Sequence, residues 1–141
     1  MHRRNFCKTL LGLPSAAAAQ QYAVRTRGLP PLTIKEVRAI PTGAGGRYSW
    51  VFLKITTSEP GLYGLGSASN VLQAPTVVTA IEKEFAPFWV GKNPGRIEDL
   101  WQATHVRSYW RNSTVLNNAL SALDMALWDI KGKRAGMPVY E

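Results

Sequence analysis

The sequence predicts an α+β fold in which a three-stranded antiparallel meander precedes a segment of three helices. Three observations point to this class. Residues 33–67 contain β-rich apolar runs, the connections between them are short, and the apolar residues after Pro75 change to helical spacing. The length of 141 residues suits one domain, and it excludes a complete (β/α)₈ barrel, which needs about 250 residues.

The strands are predicted from apolar runs that end at turn-forming residues. The first run is β-rich and stops at Pro41, and the second has apolar residues on both faces. Between them, three glycines in Thr42–Gly46 favour a flexible loop. Ser58–Gly61 has the composition of a turn and leads into a glycine-thinned third strand. The strands are therefore expected at residues 33–40, 50–55 and 62–67.

Two helices are predicted after the meander. The first runs from Pro75 to Trp89 and ends at Gly91. Asn93 is expected to cap the second, with Pro94 at its first helical position and acidic residues in its first turn. The buried stripe of the second helix is predicted to contain Ile97, Leu100, Trp101 and Thr104.

The third helix has the clearest pattern, because one face stays apolar over four turns. Basic residues crowd its C-terminal end, and Gly136 with Pro138 ends it. So apolar a helix needs a partner surface, and no further sequence follows to provide one. Its apolar stripe contains Leu116, Leu120, Leu123, Leu127 and Ile130.

The basic charge is concentrated near the N-terminus. The formal net charge is +8, but most of the excess lies in residues 1–38, so the remaining sequence is nearly neutral and nucleic-acid binding is not expected. Residues 1–20 combine a basic start, a short apolar stretch and a small-residue run, the layout of an export signal. Arg3-Arg4 is similar to a twin-arginine motif. Export to the periplasm is predicted, and the alternative is a basic tail on a cytoplasmic protein.

Residues 21–32 lack periodicity and are predicted to be a linker.

Other classes of protein are excluded by simple counts. No stretch approaches the roughly 18 apolar residues of a membrane-spanning helix. The only cysteine, Cys7, excludes an internal disulfide and a zinc site built from several thiolates.

Three segments carry a family resemblance. Gly61–Ser69 and, above all, Ala119–Tyr140 resemble the N-terminal capping domain of the enolase superfamily, in the branch of mandelate racemase and muconate lactonizing enzyme. Arg107–Asn112 is similar to a motif of acid-sugar dehydratases of the mannonate and galactonate type. The resemblance assigns residues 33–141 to the capping domain.

The resemblance also implies what a full enzyme would contain. Its C-terminal barrel would hold Mg²⁺ on carboxylates, and Lys or His bases would remove the proton next to a substrate carboxylate before water is lost. This chain ends where the barrel should begin, so neither a catalytic residue nor a cofactor is assigned to it. The nine acidic residues have no spacing that converges on a metal ion. The expected partners are the missing barrel or a homo-oligomer, together with a sugar-acid substrate.

Two loops and one motif are candidates for substrate or barrel contacts. In the first loop Arg47, Tyr48 and Trp50 offer a cation and ring faces to a hydroxylated carboxylate, and a solvated loop is the alternative. In the second loop, the candidates for substrate contact are the small polar side chains of Ser67, Ser69 and Asn70. The motif residues Tyr109, Trp110 and Arg111 are expected beside the barrel, where packing or an interface salt bridge competes with substrate contact.

Two functional hypotheses follow. The first is a truncated acid-sugar dehydratase-like protein, a lyase if complete, whose cap is inactive alone. The second is an exported non-enzymatic binding or assembly module that uses the face of the third helix. Without a barrel, the apolar stripe of that helix and the indoles of Trp101, Trp110 and Trp128 are expected to form an adhesive surface. His105 is assigned a structural role near a helix C-terminus.

Overall fold

The computed structural model describes residues 28–43, 50–68, 72–107, 109 and 111–141. Residues Pro30–Tyr140 form one compact unit, which holds the sheet and the helices. The predicted export signal and residues 21–27 of the predicted linker lie outside the described residues. Within the described part, no helix is both long and apolar enough to cross a membrane.

The predicted antiparallel meander is confirmed. Strands β1 (Ile34–Thr42), β2 (Trp50–Thr57) and β3 (Tyr63–Ser67) lie in the order β1-β2-β3. The prediction that the first strand stops at Pro41 is wrong, because Pro41 lies within β1 and opposite Val51. Since β1 is an edge strand, a residue without an N–H can be accommodated there.

One face of the sheet is buried and the other is open. Val51, Leu53 and Ile55 of β2 are fully buried, whereas Trp50 and Phe52 on the alternate positions are exposed. The apolar character of both faces of β2 therefore does not mean that both are covered.

The helix predicted between Pro75 and Trp89 has a π-helical middle. It comprises α1 (Ala74–Thr79), a π segment (Ala80–Phe85) and α2 (Ala86–Trp89). Pro87 lacks the N–H that would bond to the Lys83 carbonyl in a regular helix, and the wider π turns occur just before it.

Helix α3 spans Ile97–Arg107, so the expectation that it begins at Pro94 is wrong. The Asn93 side chain closes a turn by accepting a hydrogen bond from the Gly95 N–H at 2.8 Å, and the Arg96 carbonyl accepts the Leu100 N–H at 3.0 Å. Asn93 thus prefers its own turn to the helix N-terminus, as short polar side chains often do.

Helix α4 spans Thr114–Ala135 and ends at Gly136, which has a left-handed φ of 63°. The N–H groups of Gly136 and Met137 bond to the carbonyls of Lys133 and Gly132, a common helix ending. Helix α4 lies along the buried face of the sheet, in contact mainly with β3.

The expectation that the apolar stripe of α4 would remain uncovered is wrong. Leu120, Leu123, Leu127 and Ile130 are all 4% exposed or less, because the meander itself covers them. The seam between α4 and β3 is close. A methyl group on Gly66 would overlap the Ala122 carbonyl, and one on Gly64 would overlap the carbonyl of Ala126. The glycines that thin β3 therefore allow the helix to approach.

Candidate functional site

The first candidate loop begins and ends at one end of the sheet, and the second candidate loop begins at the same end. The paired residues Thr42 and Trp50 are the last of β1 and the first of β2. Ser67 ends β3 opposite Phe52, and the Ala68 N–H donates to the Val51 carbonyl at 2.8 Å. We call this the loop end of the sheet.

The start of helix α4 points to the loop end as well. Gly66 lies against Ala122 and Gly64 against Ala126, so α4 runs opposite to β3. Thr114, the first residue of α4, lies eight residues before Ala122, about 12 Å further along the helix axis. The residues that precede α4 therefore approach the loop end.

The predicted site residues that the structure describes are mostly exposed. The exposed fraction is 58% for Trp50 and 88% for Tyr109. Arg111 is exposed and Ser67 is half-buried. Trp50 and Ser67 thus lie at the loop end, and Tyr109 and Arg111 lie in the segment that leads to α4. The other predicted site residues fall outside the described part of the chain; these are Arg47, Tyr48, Ser69, Asn70 and Trp110.

A cleft next to this region was not expected from the sequence. It has a volume of about 160 Å³ and lies between the π segment, α3 and the start of α4. The Arg107 guanidinium donates to the Glu84 carbonyl at 3.3 Å and lies 4.9 Å from the Phe88 ring centroid. These contacts hold Arg107 at the cleft wall. The cleft is lined by Glu84, Phe85, Thr104, Arg107 and Leu116.

Arg111 and His105 lie beside this cleft. Both line an adjoining small cavity together with Asn117. The His105 ring stacks on Trp101, with ring centroids 5.0 Å apart and an interplanar angle of 18°. That packing agrees with the structural role predicted for His105. The dehydratase-like motif signalled this region through Arg111, but no sequence pattern indicated that the π segment would form the opposite wall.

Two acidic residues of α4 differ in their surroundings. Asp129 accepts hydrogen bonds from the Leu65 N–H at 2.9 Å and from Lys133 at 2.7 Å. Burial raises the pKa of the Asp124 carboxyl above its ordinary value of 3.8, Glu98 adds to the rise, and a hydrogen bond with Trp128 opposes it.

No group of three His, Cys, Asp or Glu side chains that could hold a metal ion occurs among the described residues. The donors that Mg²⁺ requires therefore do not converge in this part of the chain. No chemical step through a metal is assigned to the described residues.

The family model and the curated relatives that match this chain point to the same protein family. Residues 23–141 match the family model described as mandelate racemase / muconate lactonizing enzyme, N-terminal domain. The chain is 56% identical over 110 residues to the D-galactonate dehydratase family member RspA of Pantoea ananatis, and 52% identical over 110 residues to a D-galactonate dehydratase family member of Enterococcus gallinarum. Each alignment covers 78% of this chain and about a quarter of the relative, 26% and 27% respectively.

Solved structures agree with the sequence matches. A crystal structure of an enolase from Pantoea ananatis with bound D-gluconate and Mg has a TM-score of 0.73 and 55% identity, and the match covers 77% of this chain and 26% of that one. A member of the enolase superfamily from Salmonella Typhimurium has a TM-score of 0.66 and 27% identity, with 72% and 27% covered. The similarity therefore covers most of the domain described above, but only about a quarter of the length of the proteins it matches.

Proposed function

The chain belongs to the mandelate racemase / muconate lactonizing enzyme N-terminal domain family, and from that premise we propose that it is the substrate-capping domain of an acid-sugar dehydratase. In this proposal the domain selects the substrate and closes the active site. The Mg²⁺ ion and the bases that abstract the proton belong to the barrel of the full enzyme. The domain alone is inactive.

One observation carries this proposal: both ends of the first candidate loop and the start of the second lie together at the loop end of the sheet. A sheet packed on one long helix gives the loops a rigid base, and segments held on such a base are well suited to recognise a ligand. The exposed indole of Trp50 at this end is a surface that a sugar ring can stack against.

The residues of the loops suit a sugar acid. Arg47 would bind the substrate carboxylate through charge-assisted hydrogen bonds, and Tyr48 and Trp50 would cover its carbon chain. Ser67, Ser69 and Asn70 would bond to its hydroxyl groups. Tyr109, Trp110 and Arg111 would lie against the barrel.

The first test is an assay of the chain alone. We expect no turnover of a panel of sugar acids, D-gluconate included, in the presence of Mg²⁺, because the described residues contain no converging metal ligands. Clear turnover by the purified chain, free of contaminating dehydratase, would contradict the proposal.

The second test restores a barrel. Residues 33–141 would be joined to the remaining part of the 56% identical Pantoea ananatis relative, and the chimera assayed on the same panel. For any acid that is turned over, Arg47→Ala is expected to lower kcat/KM roughly ten- to hundredfold, as the loss of a hydrogen bond to a charged group does. The matched control is Lys35→Ala, which removes the same charge from the opposite end of β1, near the pair Ile34–Thr57. Equal effects of the two substitutions would exclude Arg47 from substrate binding.

A further inference from the structure

The face of the sheet that points away from α4 is both apolar and cationic. The exposed fractions of Phe52, Tyr63 and Leu65 are 39%, 38% and 45%. Lys54 lies between Arg38 and Leu65 in the strand register. We call these five residues the open sheet face. Exposed apolar groups that gather on one face are typical of interaction surfaces.

The charges around the open sheet face are mainly positive. The Lys54 ammonium lies 4.6 Å from the Tyr63 ring centroid, and the Lys133 ammonium lies 4.2 Å from the same ring. Lys133 is paired with Asp129 at 2.7 Å, and Glu36 faces Thr56 at the far end of the strands. Glu36 is on the same face as Arg38, so Arg38, Lys54 and Lys133 stand against Glu36 and Asp129, and the open sheet face with its border has an excess of one positive charge.

A second exposed surface has the opposite charge. Met125 and Trp128 on α4 are 42% and 37% exposed. Asp124 on the same helix is close enough to Glu98 of α3 for the two carboxylates to repel each other. We call Glu98, Asp124, Met125 and Trp128 the helical ridge.

The negative charge of the helical ridge is not neutralised by ion pairs in the described structure. The ion pairs between described residues are Arg96–Asp99, Lys133–Asp129 and Arg134–Glu59, and none involves Glu98 or Asp124. Lys131 lies 4.5 Å from the Trp128 ring centroid and keeps its positive charge, so the two carboxylates of Glu98 and Asp124 leave the ridge with an excess of one negative charge.

Charge determines which surfaces can meet. Two open sheet faces would bring Arg38 and Lys54 against the same cations, and two ridges would bring carboxylates against carboxylates. Like charges across an interface are unfavourable, whereas an apolar cationic face and an apolar acidic ridge are complementary.

We propose that copies of this chain associate head to tail, with the open sheet face of one copy against the helical ridge of the next. Such an interface joins two different surfaces, so each copy retains one free surface of each kind unless a ring closes. This association is separate from substrate capping, because it uses neither the candidate loops nor Arg111.

Sedimentation velocity of the 141-residue chain tests the proposal over about 10 to 500 µM, the range of weak interfaces. We expect concentration-dependent association that weakens as salt is added, since exposed charges are screened. Lys54→Glu and Glu98→Lys are each expected to weaken it about tenfold, because each replaces an attraction across the interface with a repulsion. Lys83→Glu, on the exposed side of the π segment, is the matched control and should leave association unchanged.

An equimolar mixture of the two variants gives the decisive result. Lys54→Glu leaves both of its surfaces negative and Glu98→Lys leaves both of its surfaces positive, so we expect the mixture to associate more strongly than either variant alone. Circular dichroism of each variant checks that it is folded. A monomer at every concentration would overturn the proposal. So would disruption by Lys54→Glu but not by Glu98→Lys, which indicates a symmetric sheet–sheet contact, or the absence of rescue in the mixture.

Discussion

The seam between α4 and β3 and the loop end of the sheet are neighbours on one strand, but they are built in opposite ways. At the seam, the backbone of α4 lies so close to Gly64 and Gly66 that no side chain would fit there. The facing residues Ala122 and Ala126 are fully buried. At the loop end, Trp50 is 58% exposed and Ser67 is half-buried. The difference separates the part of the domain that is tightly packed from the part whose side chains stay exposed.

The seam also protects an open edge. Asp129 of α4 accepts the outward N–H of Leu65, and Lys133 donates to the Tyr63 carbonyl at 3.0 Å. Backbone groups of the edge strand β3 that would otherwise recruit another strand are thus satisfied by the helix. A partner can therefore use the face of this sheet more readily than its β3 edge.

The largest loss of stability is expected from Gly66→Ala, which would remove the close packing at the seam. The new methyl group would overlap the Ala122 carbonyl, which is backbone and has little freedom to move. Overpacking of this kind costs about 3 kcal/mol, or more where a helix must shift. We expect urea unfolding, followed by circular dichroism, to show this loss of stability or a chain that no longer folds.

Gly95→Ala is the matched control for that experiment. Its new methyl group would meet only the Asn93 side-chain oxygen at 3.1 Å, and Gly95 does not have a positive φ. The free energy of unfolding should change by less than about 1 kcal/mol. A Gly66→Ala variant as stable as the Gly95→Ala variant would show that the seam is looser than described.

A smaller loss is expected from Thr104→Val, which tests the packed interior beyond the seam. The Thr104 hydroxyl accepts the Trp89 indole N–H at 2.9 Å and donates to the Leu100 carbonyl at 2.6 Å, and both side chains are buried. Valine has nearly the same shape but leaves the indole N–H unpaired, which costs about 1 to 3 kcal/mol. The same substitution at the exposed Thr79, whose hydroxyl bonds only to Pro75, is the control. Similar urea midpoints for the two variants would contradict this role of Thr104.

The sequence predicted the elements well where a periodic pattern and an end signal agreed. The stripe of α4 and its end at Gly136 are an example, since burial period and left-handed glycine are both local properties. Local rules were wrong where tertiary context decides. Pro41 is tolerated because β1 is an edge strand, and Asn93 closes a turn before α3 instead of capping it.

The candidate site was less predictable. The loop residues could be chosen by composition, but their grouping at one end depends on strand register and on the direction of α4, which no single segment encodes. The cleft beside Arg107 depends on the π segment, whose geometry has no apolar signature. The stripe of α4 was expected to need a barrel because the meander was not counted as its cover.

The smallest expected effect concerns Asp124, which lies on the exposed side of the helix that forms the seam. Burial, and then the charge of Glu98, raise the pKa of this carboxyl in the folded chain above the ordinary value of 3.8. The folded chain therefore binds the proton more tightly than the unfolded chain, so the stability contribution of Asp124 improves as the pH falls through the raised pKa and is complete below 3.8. Asp124→Asn stays neutral and lacks this dependence. The urea midpoint of the wild type should rise relative to that of Asp124→Asn between neutral pH and about 4, and Glu98→Gln should reduce the rise. A difference that stays constant with pH, or one that changes in the opposite direction, would show that folding does not raise the pKa of Asp124. An unchanged rise in Glu98→Gln would show that the two carboxylates of the helical ridge do not repel each other.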